Sequence, residues 1–156
     1  MNVLMVCLGN ICRSPMADGL LRMKFKQHGI EGTVDSAGTA NYHIGKAPDH
    51  RMRATAKSLG YPIDELRARQ FKVNDFDQFD LIYAMDNSNR DNMLQLARND
   101  EDMKKVRLIL DELPGNEGEA VPDPYYGTQH DFEHVFHLLD RATDQIITNI
   151  KHHDNR

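Results

Sequence analysis

The segment CLGNICRSP, Cys7 to Pro15, holds two cysteines, an arginine and a serine within nine residues. Five residues separate Cys7 from Arg13, enough to curl the backbone so that successive N–H groups point inward at the start of a following helix. A nest of that kind binds a tetrahedral dianion. Its positive potential, reinforced by the Arg13 guanidinium, favours thiolate over thiol and makes Cys7 a nucleophile at neutral pH. Arg13 offers a planar fork that can hold two phosphoryl oxygens and follow their charge into a transition state, which a lysine point charge does less well. Ser14 is placed to donate its hydroxyl to the sulfur and ease its departure in a second step. The candidate phosphate-binding stretch is therefore Leu8, Gly9, Asn10, Ile11, Cys12, Arg13 and Ser14. The Gly-Lys-Ser/Thr of a nucleotide-binding loop is missing. The competing reading is a buried cysteine beside a surface arginine.

A thiolate that attacks phosphorus expels an alkoxide or aryloxide, so a proton donor is needed on the far side of the phosphoryl group. Asp123 lies in an acidic, Gly- and Pro-rich loop from Asp111 to Tyr126, flanked by Pro122 and Pro124 and followed by two tyrosines that can partly desolvate it. Its bland reading is a solvated turn aspartate. Asp86 and Asp111, at strand ends, are competing carboxylates, with Asp86 kept as structural support.

These groups need a scaffold. Asn2 to Val6 reads as a short buried strand before the Gly9-Asn10 turn. Ser14 as cap, Pro15 in the first turn and apolar positions from Met16 to Phe25 predict a helix that stops before Gly29. Further strands are expected at Thr33 to Asp35, Leu81 to Met85 and Val106 to Leu110, with helices from Asp49 to Leu59 and from an Asp86 to Asn89 cap region to Arg98. Phe132, Val135, Phe136, Leu139, Ala142, Ile146, Ile147 and Ile150 recur at helical spacing and predict a long terminal helix. The alternation implies a three-layer α/β fold, Rossmann-like, with a four-stranded parallel sheet flanked by helices on both faces and a ligand crevice at the strands' carboxyl ends.

At 156 residues the chain fits a single domain spanning 1–156, and a formal charge of −5 speaks against nucleic-acid binding. No apolar stretch approaches the length of a membrane span, so no membrane partner and a cytoplasmic location are expected. Cys7 and Cys12 are too few to staple a secreted scaffold. His130, His134 and His137 share a helix face that could suggest a metal site, but it lies opposite the apolar stripe and reads as solvated.

"VCLGNICRSPMAD", "DSAGT" at Asp35 to Thr39, "AMDNSN" at Ala84 to Asn89 and "VPDPYYG" at Val121 to Gly127 resemble, in order and spacing, the low-molecular-weight protein tyrosine phosphatases. The resemblance implies a phosphotyrosine phosphatase of the phosphotyrosine phosphatase I fold, acting through a cysteinyl-phosphate with no metal and no cofactor. It implies Cys7 as nucleophile, Arg13 as phosphate ligand and Asp123 as general acid, later the base that activates water. It also implies a supporting pair of Asn10 with Ser36, beside Ser14. Asparagine tolerates the left-handed backbone that such a loop requires. Leu8, Ile11, Tyr42 and Tyr125 are candidates for the apolar rim around a phosphoaryl ring. Phosphoarginine phosphatases resemble one another in carrying threonine at the place of Ile11, which favours tyrosine here.

Cys12 has two readings, a small side chain packed beneath the loop or a reversible disulfide partner that shields Cys7 from irreversible oxidation. Tyr126 is a kinase-site candidate by resemblance alone. The expected partners are phosphotyrosine proteins, with inorganic phosphate as product, for a monomer or weak dimer. Rivals are a phosphoarginine phosphatase, an arsenate reductase, which would need a further cysteine pair, a sugar-transport phosphocarrier, which lacks an Arg13 equivalent, and a non-catalytic phosphotyrosine-binding module.

Overall fold

Strand β1, Val3–Cys7, is buried along its whole length, and its side chains alternate between two cores. Val3, Met5 and Cys7 belong to one cluster, Leu4 and Val6 to the other. A strand whose neighbours on both faces are apolar is the signature of a sheet covered on both sides. The computed structural model describes residues 1–154, and in it β1 lies between β2, Val34–Gly38, and β3, Leu81–Ala84, with β4, Val106–Leu108, beyond β3. All pairings are parallel, in the order β2-β1-β3-β4. The expected α/β architecture is present.

Helices α1, Arg13–Gln27, α2, His50–Ser58, and α6, Gln129–Asp154, cover one face, sharing a core in which Met16, Leu20, Leu21, Met52, Phe132 and Leu139 are fully buried. Short helices α3, Asp75–Gln78, and α4, Asn87–Leu94, send Phe76 and Met93 into the opposite core. Burial of these side chains drives the assembly at about 25 cal/mol per Å² of apolar surface removed from water.

The chain passes from β1 outward to β2 and then returns to place β3 on the other side of β1. That reversal leaves the carboxyl ends of β1 and β3 with connections that diverge, which opens a crevice there. Cys7 ends β1 and Asp86 follows β3, so both reach the crevice. No helix among the described residues is long and apolar enough to cross a membrane.

Several boundaries differ from expectation. The second strand runs on to Gly38 and carries Ser36 within it. The predicted helix to Arg98 ends at Leu94, and α5, Asp100–Lys105, capped by Asn99, forms separately. Ile109 and Leu110 leave the sheet for a 3-10 turn, Ile109–Glu112. Helix α3 was not foreseen, because four residues are too few to show a helical period. His130, His134 and His137 are exposed, while Phe132, Val135 and Phe136 between them are buried.

Candidate active site

Helix α1 begins immediately after the loop, with Cys12 at its cap position and no side chain capping it. Ser14 is therefore not the cap; it lies inside the first turn with its hydroxyl turned to the loop. Cys7 Sγ and Ser14 Oγ form a hydrogen bond of 3.0 Å. Asn10 Nδ2 donates to the same Oγ at 2.8 Å, so the hydroxyl proton is left for the sulfur, the nearer acceptor, or for Ala37 O at 3.4 Å. Asn10 also donates its backbone N–H to Cys7 Sγ at 3.3 Å. The Asn10 amide thus points at the sulfur, and the Ser14 hydroxyl lies within hydrogen-bond distance of it.

Asn10 has φ of 58°, the one non-glycine residue with positive φ among those described, and this reversal turns the loop back onto Cys7. The expected Asn10–Ser36 pair is not formed. Asn10 Oδ1 accepts from the backbone N–H of Arg69 at 3.0 Å, and its amide is spent on Ser14. Ser36, on the neighbouring strand, instead helps to hold down the pKa of the Asp18 carboxyl. The backbone of Gly38 passes so close that a Cβ there would lie 2.7 Å from Leu8 O, so only glycine fits. The amides of Gly9, Ile11, Cys12 and Arg13 donate to no group among the described residues. Unspent donors at the start of a helix form an anion site.

Arg13 is 3% exposed and held from behind. Its Nη1 meets Asp86 Oδ2 at 2.7 Å and donates to Val121 O at 3.0 Å. Asp86 is itself fixed as the cap of α4, accepting from Asn89 N at 2.8 Å. Burial alone would lower the guanidinium pKa, but Cys7 and Asp86 outweigh it and raise it, so Arg13 is charged throughout the accessible pH range. Val121 donates to Met85 O at 2.8 Å, which ties the acidic loop to the end of β3. Two residues on, Asp123 Oδ2 stands 3.8 Å from Arg13 Nη2, with half of its side chain exposed. Its Oδ1 accepts from Tyr125 N at 3.1 Å.

Cys7, Leu8, Gly9, Ile11, Cys12, Arg13, Tyr42, Asp123, Tyr125 and Tyr126 line one cleft of about 360 Å³, together with His43. The rim candidates Leu8, Ile11, Tyr42 and Tyr125 all border it. Asp111 does not: its Oδ1 accepts from Gly118 N within the acidic loop. Sequence reasoning missed His43, which lies against Gly9, the Val121 carbonyl, which no side-chain pattern reveals, and Arg69, 59 positions from the asparagine it holds. Cys12 is buried, and burial followed by the negative charges of Asp49 and Cys7 pushes its thiol far up, so Cys12 stays protonated at neutral pH. Both cysteines are free.

The model for the family described as low molecular weight phosphotyrosine protein phosphatase matches residues 2–156. The chain belongs to this family. It is a phosphatase, as the resemblance implied. It is 44% identical over 152 residues, 96% of each chain, to a putative low molecular weight protein-tyrosine-phosphatase of Synechocystis, and 36% identical over 152 residues, again 96% of each, to a low molecular weight protein-tyrosine-phosphatase of Bacillus subtilis. Among solved structures, a protein tyrosine phosphatase of Entamoeba histolytica with Hepes in its active site superposes with a TM-score of 0.92 at 36% identity, covering 99% of both chains. A Drosophila arginine phosphatase superposes with a TM-score of 0.89 at 30% identity, covering 97% of this chain and 98% of that one.

One buried carboxylate in α1 should give this phosphatase a pH-dependent stability. Asp18, one turn beyond Ser14, is fully buried, and burial pushes its pKa up from 3.8 to about 7 against the opposing pull of Arg22 and the Ser36 hydroxyl. A folded-state value above the unfolded one means that the native state binds the proton more tightly. Asp18's contribution is therefore complete below about pH 4 and lost as pH rises toward 7. Relative to Asp18→Asn, the native chain should lose stability over that window by on the order of a few kcal/mol. Urea unfolding of both proteins at several pH values measures this, since other groups cancel in the difference; a difference that is flat or grows in favour of the aspartate would be contrary.

Proposed function

We propose that this phosphatase hydrolyses phosphotyrosine monoesters of proteins through a cysteinyl-phosphate intermediate. The Cys7 thiolate attacks phosphorus and the phosphorus–oxygen bond to the tyrosyl ring breaks, while Asp123 delivers its proton to the departing phenolate oxygen. Arg13 and the unspent loop amides hold the non-bridging oxygens as their charge redistributes. In the second step Asp123, now a carboxylate, takes a proton from water as it attacks phosphorus. The sulfur leaves as thiolate, eased by the Ser14 hydroxyl 3.0 Å away, and inorganic phosphate is released. Every bond made and broken lies within the chain, the ester and one water, so no cofactor is required.

The observation that carries this reading is that one cleft is lined at once by the sulfur, the guanidinium and the carboxylate. Apolar Leu8 and Ile11 and the ring of Tyr125 on its walls suit a flat aryl group. The Ile11 wall is also the ground for preferring phosphotyrosine to phosphoarginine, the substrate named by the Drosophila relative's title.

A panel of phosphotyrosine, phosphoserine and phosphoarginine peptides, assayed in EDTA, tests the assignment. We expect hydrolysis of the phosphotyrosine peptide with kcat/KM at least ~100-fold above the others, since a short phosphoserine side chain cannot bring its phosphate to the base of the cleft while remaining in contact with its walls. A preference for phosphoarginine, or activity that EDTA removes, would overturn it.

A further inference from the structure

The general acid sits on an exposed loop, yet its backbone is tied to the phosphate-binding loop through a residue outside the cleft. Asp49, the cap of α2, donates its backbone N–H to Ile11 O at 2.8 Å, so the start of α2 is fastened to the phosphate loop. The Asp49 carboxylate holds the Arg51 guanidinium in a two-pronged contact, Nε to Oδ1 at 3.1 Å and Nη2 to Oδ2 at 2.9 Å. From that fixed position Arg51 Nη2 donates to Tyr125 O at 2.8 Å. The N–H of the same residue, Tyr125, is the donor that orients the Asp123 carboxylate. The guanidinium also stands 4.7 Å from the ring centre of Phe132, which is fully buried in α6, and 5.6 Å from that of Tyr125. It is thus located by a carboxylate and an aromatic face before it touches the acid loop.

We propose that Arg51 is a positioning residue for the reaction: it sets where Asp123 stands relative to the phosphate loop by gripping the Tyr125 carbonyl. The proposal rests on the reading of Asp123 as general acid given above. Its physical basis is that half of the Asp123 side chain is exposed and its loop is held near the cleft by few contacts. A proton donor displaced by about 1 Å loses much of its effect, so a strap that removes this freedom bears on rate. Arg51 touches neither sulfur nor phosphate site, so its loss should spare anion binding.

The test compares kcat/KM for p-nitrophenyl phosphate, whose leaving group departs readily without a proton, with that for a phosphotyrosine peptide, whose phenol has a pKa of about 10. Arg51→Met should lower kcat/KM for the peptide by about tenfold and for p-nitrophenyl phosphate by less than about twofold. Arg51→Lys, which keeps the charge and one donor, should recover part of the loss, and the inhibition constant for inorganic phosphate should stay within about twofold in both variants. In an Asp123→Asn background, Arg51→Met should cost nothing further. A loss equal for both substrates, one that persists in that background, or a weakened phosphate affinity would overturn the proposal. If Asp123→Asn itself showed no leaving-group dependence, the acid assignment would fall first and the positioning role with it. If Asp123→Asn showed that dependence and Arg51→Met did not, the acid would stand and only the strap would be refuted.

Discussion

Cys7→Ser should abolish turnover, with a loss of on the order of 10⁴-fold or more in kcat, while the protein still binds phosphotyrosine peptide. A serine hydroxyl in the same place is not ionised near neutrality, and nothing in the loop could take its proton. The groups next to the sulfur are donors, Ser14 Oγ and the Asn10 amide, with no base among them. Such surroundings suit the proposed thiolate attack and offer nothing to a serine in its place. Binding persists because its determinants are elsewhere, in the unspent amides of Gly9, Ile11, Cys12 and Arg13 and in the buried guanidinium. Affinity for the dianion should even rise, since the variant no longer sets a thiolate against the phosphate. Single-turnover kinetics and calorimetric titration of the variant with a phosphotyrosine peptide read both quantities. Residual turnover near the wild-type rate would remove Cys7 from the mechanism, and loss of binding would mean that the sulfur itself organises the loop.

Arg13→Lys should lower kcat by about 10²- to 10³-fold, even though the charge is conserved. The guanidinium divides its work between two directions. Nη1 points backward to Asp86 and the Val121 carbonyl, while Nη2 faces the cleft near Asp123. A lysine ammonium can be drawn to Asp86 or to a substrate oxygen but cannot span both, and in the first case the site loses its fork altogether. Arg13→Met should be worse, because Asp86 then presents an uncompensated carboxylate to an incoming dianion. Adding Asp86→Asn to Arg13→Met should therefore restore some phosphate affinity without restoring kcat. Steady-state rates and phosphate inhibition constants for the four proteins decide this. An Arg13→Lys enzyme within a few-fold of wild type would show that charge alone suffices, and the two-directional role would be wrong.

Much of the site was legible because it is contiguous. Cys7 to Ser14 form one turn of chain between a strand and a helix, and local rules of loop geometry act on neighbours in sequence. The sheet was legible for a similar reason, since Val3 to Val6 and Leu81 to Ala84 have no polar face and can only be covered on both sides. Where reasoning went astray, a longer-range partner had intervened. Ser14 has the residue type of a cap, yet its hydroxyl is claimed by Cys7 and Asn10 across the loop. Asn10 was expected to meet Ser36, but Arg69 supplies a backbone N–H from a segment with no motif of its own. The strand expected through Leu110 stops at Leu108 because the chain turns there into a 3-10 helix.

By itself the sequence named the candidate chemical groups: a sulfur separated by five residues from an arginine, a strand before them, a helix after them, and an aspartate in a distant acidic loop. Those features depend on residue type and on spacing along one short stretch, which covalent geometry converts directly into structure. Tertiary structure alone decided how the arginine is aimed, through Asp86 and the Val121 carbonyl, and how the aspartate is brought within 3.8 Å of it. Those contacts join residues 73, 108 and 110 positions apart. Only the reversal of strand order at β1 brings them to the same crevice, and no local pattern encodes such a meeting.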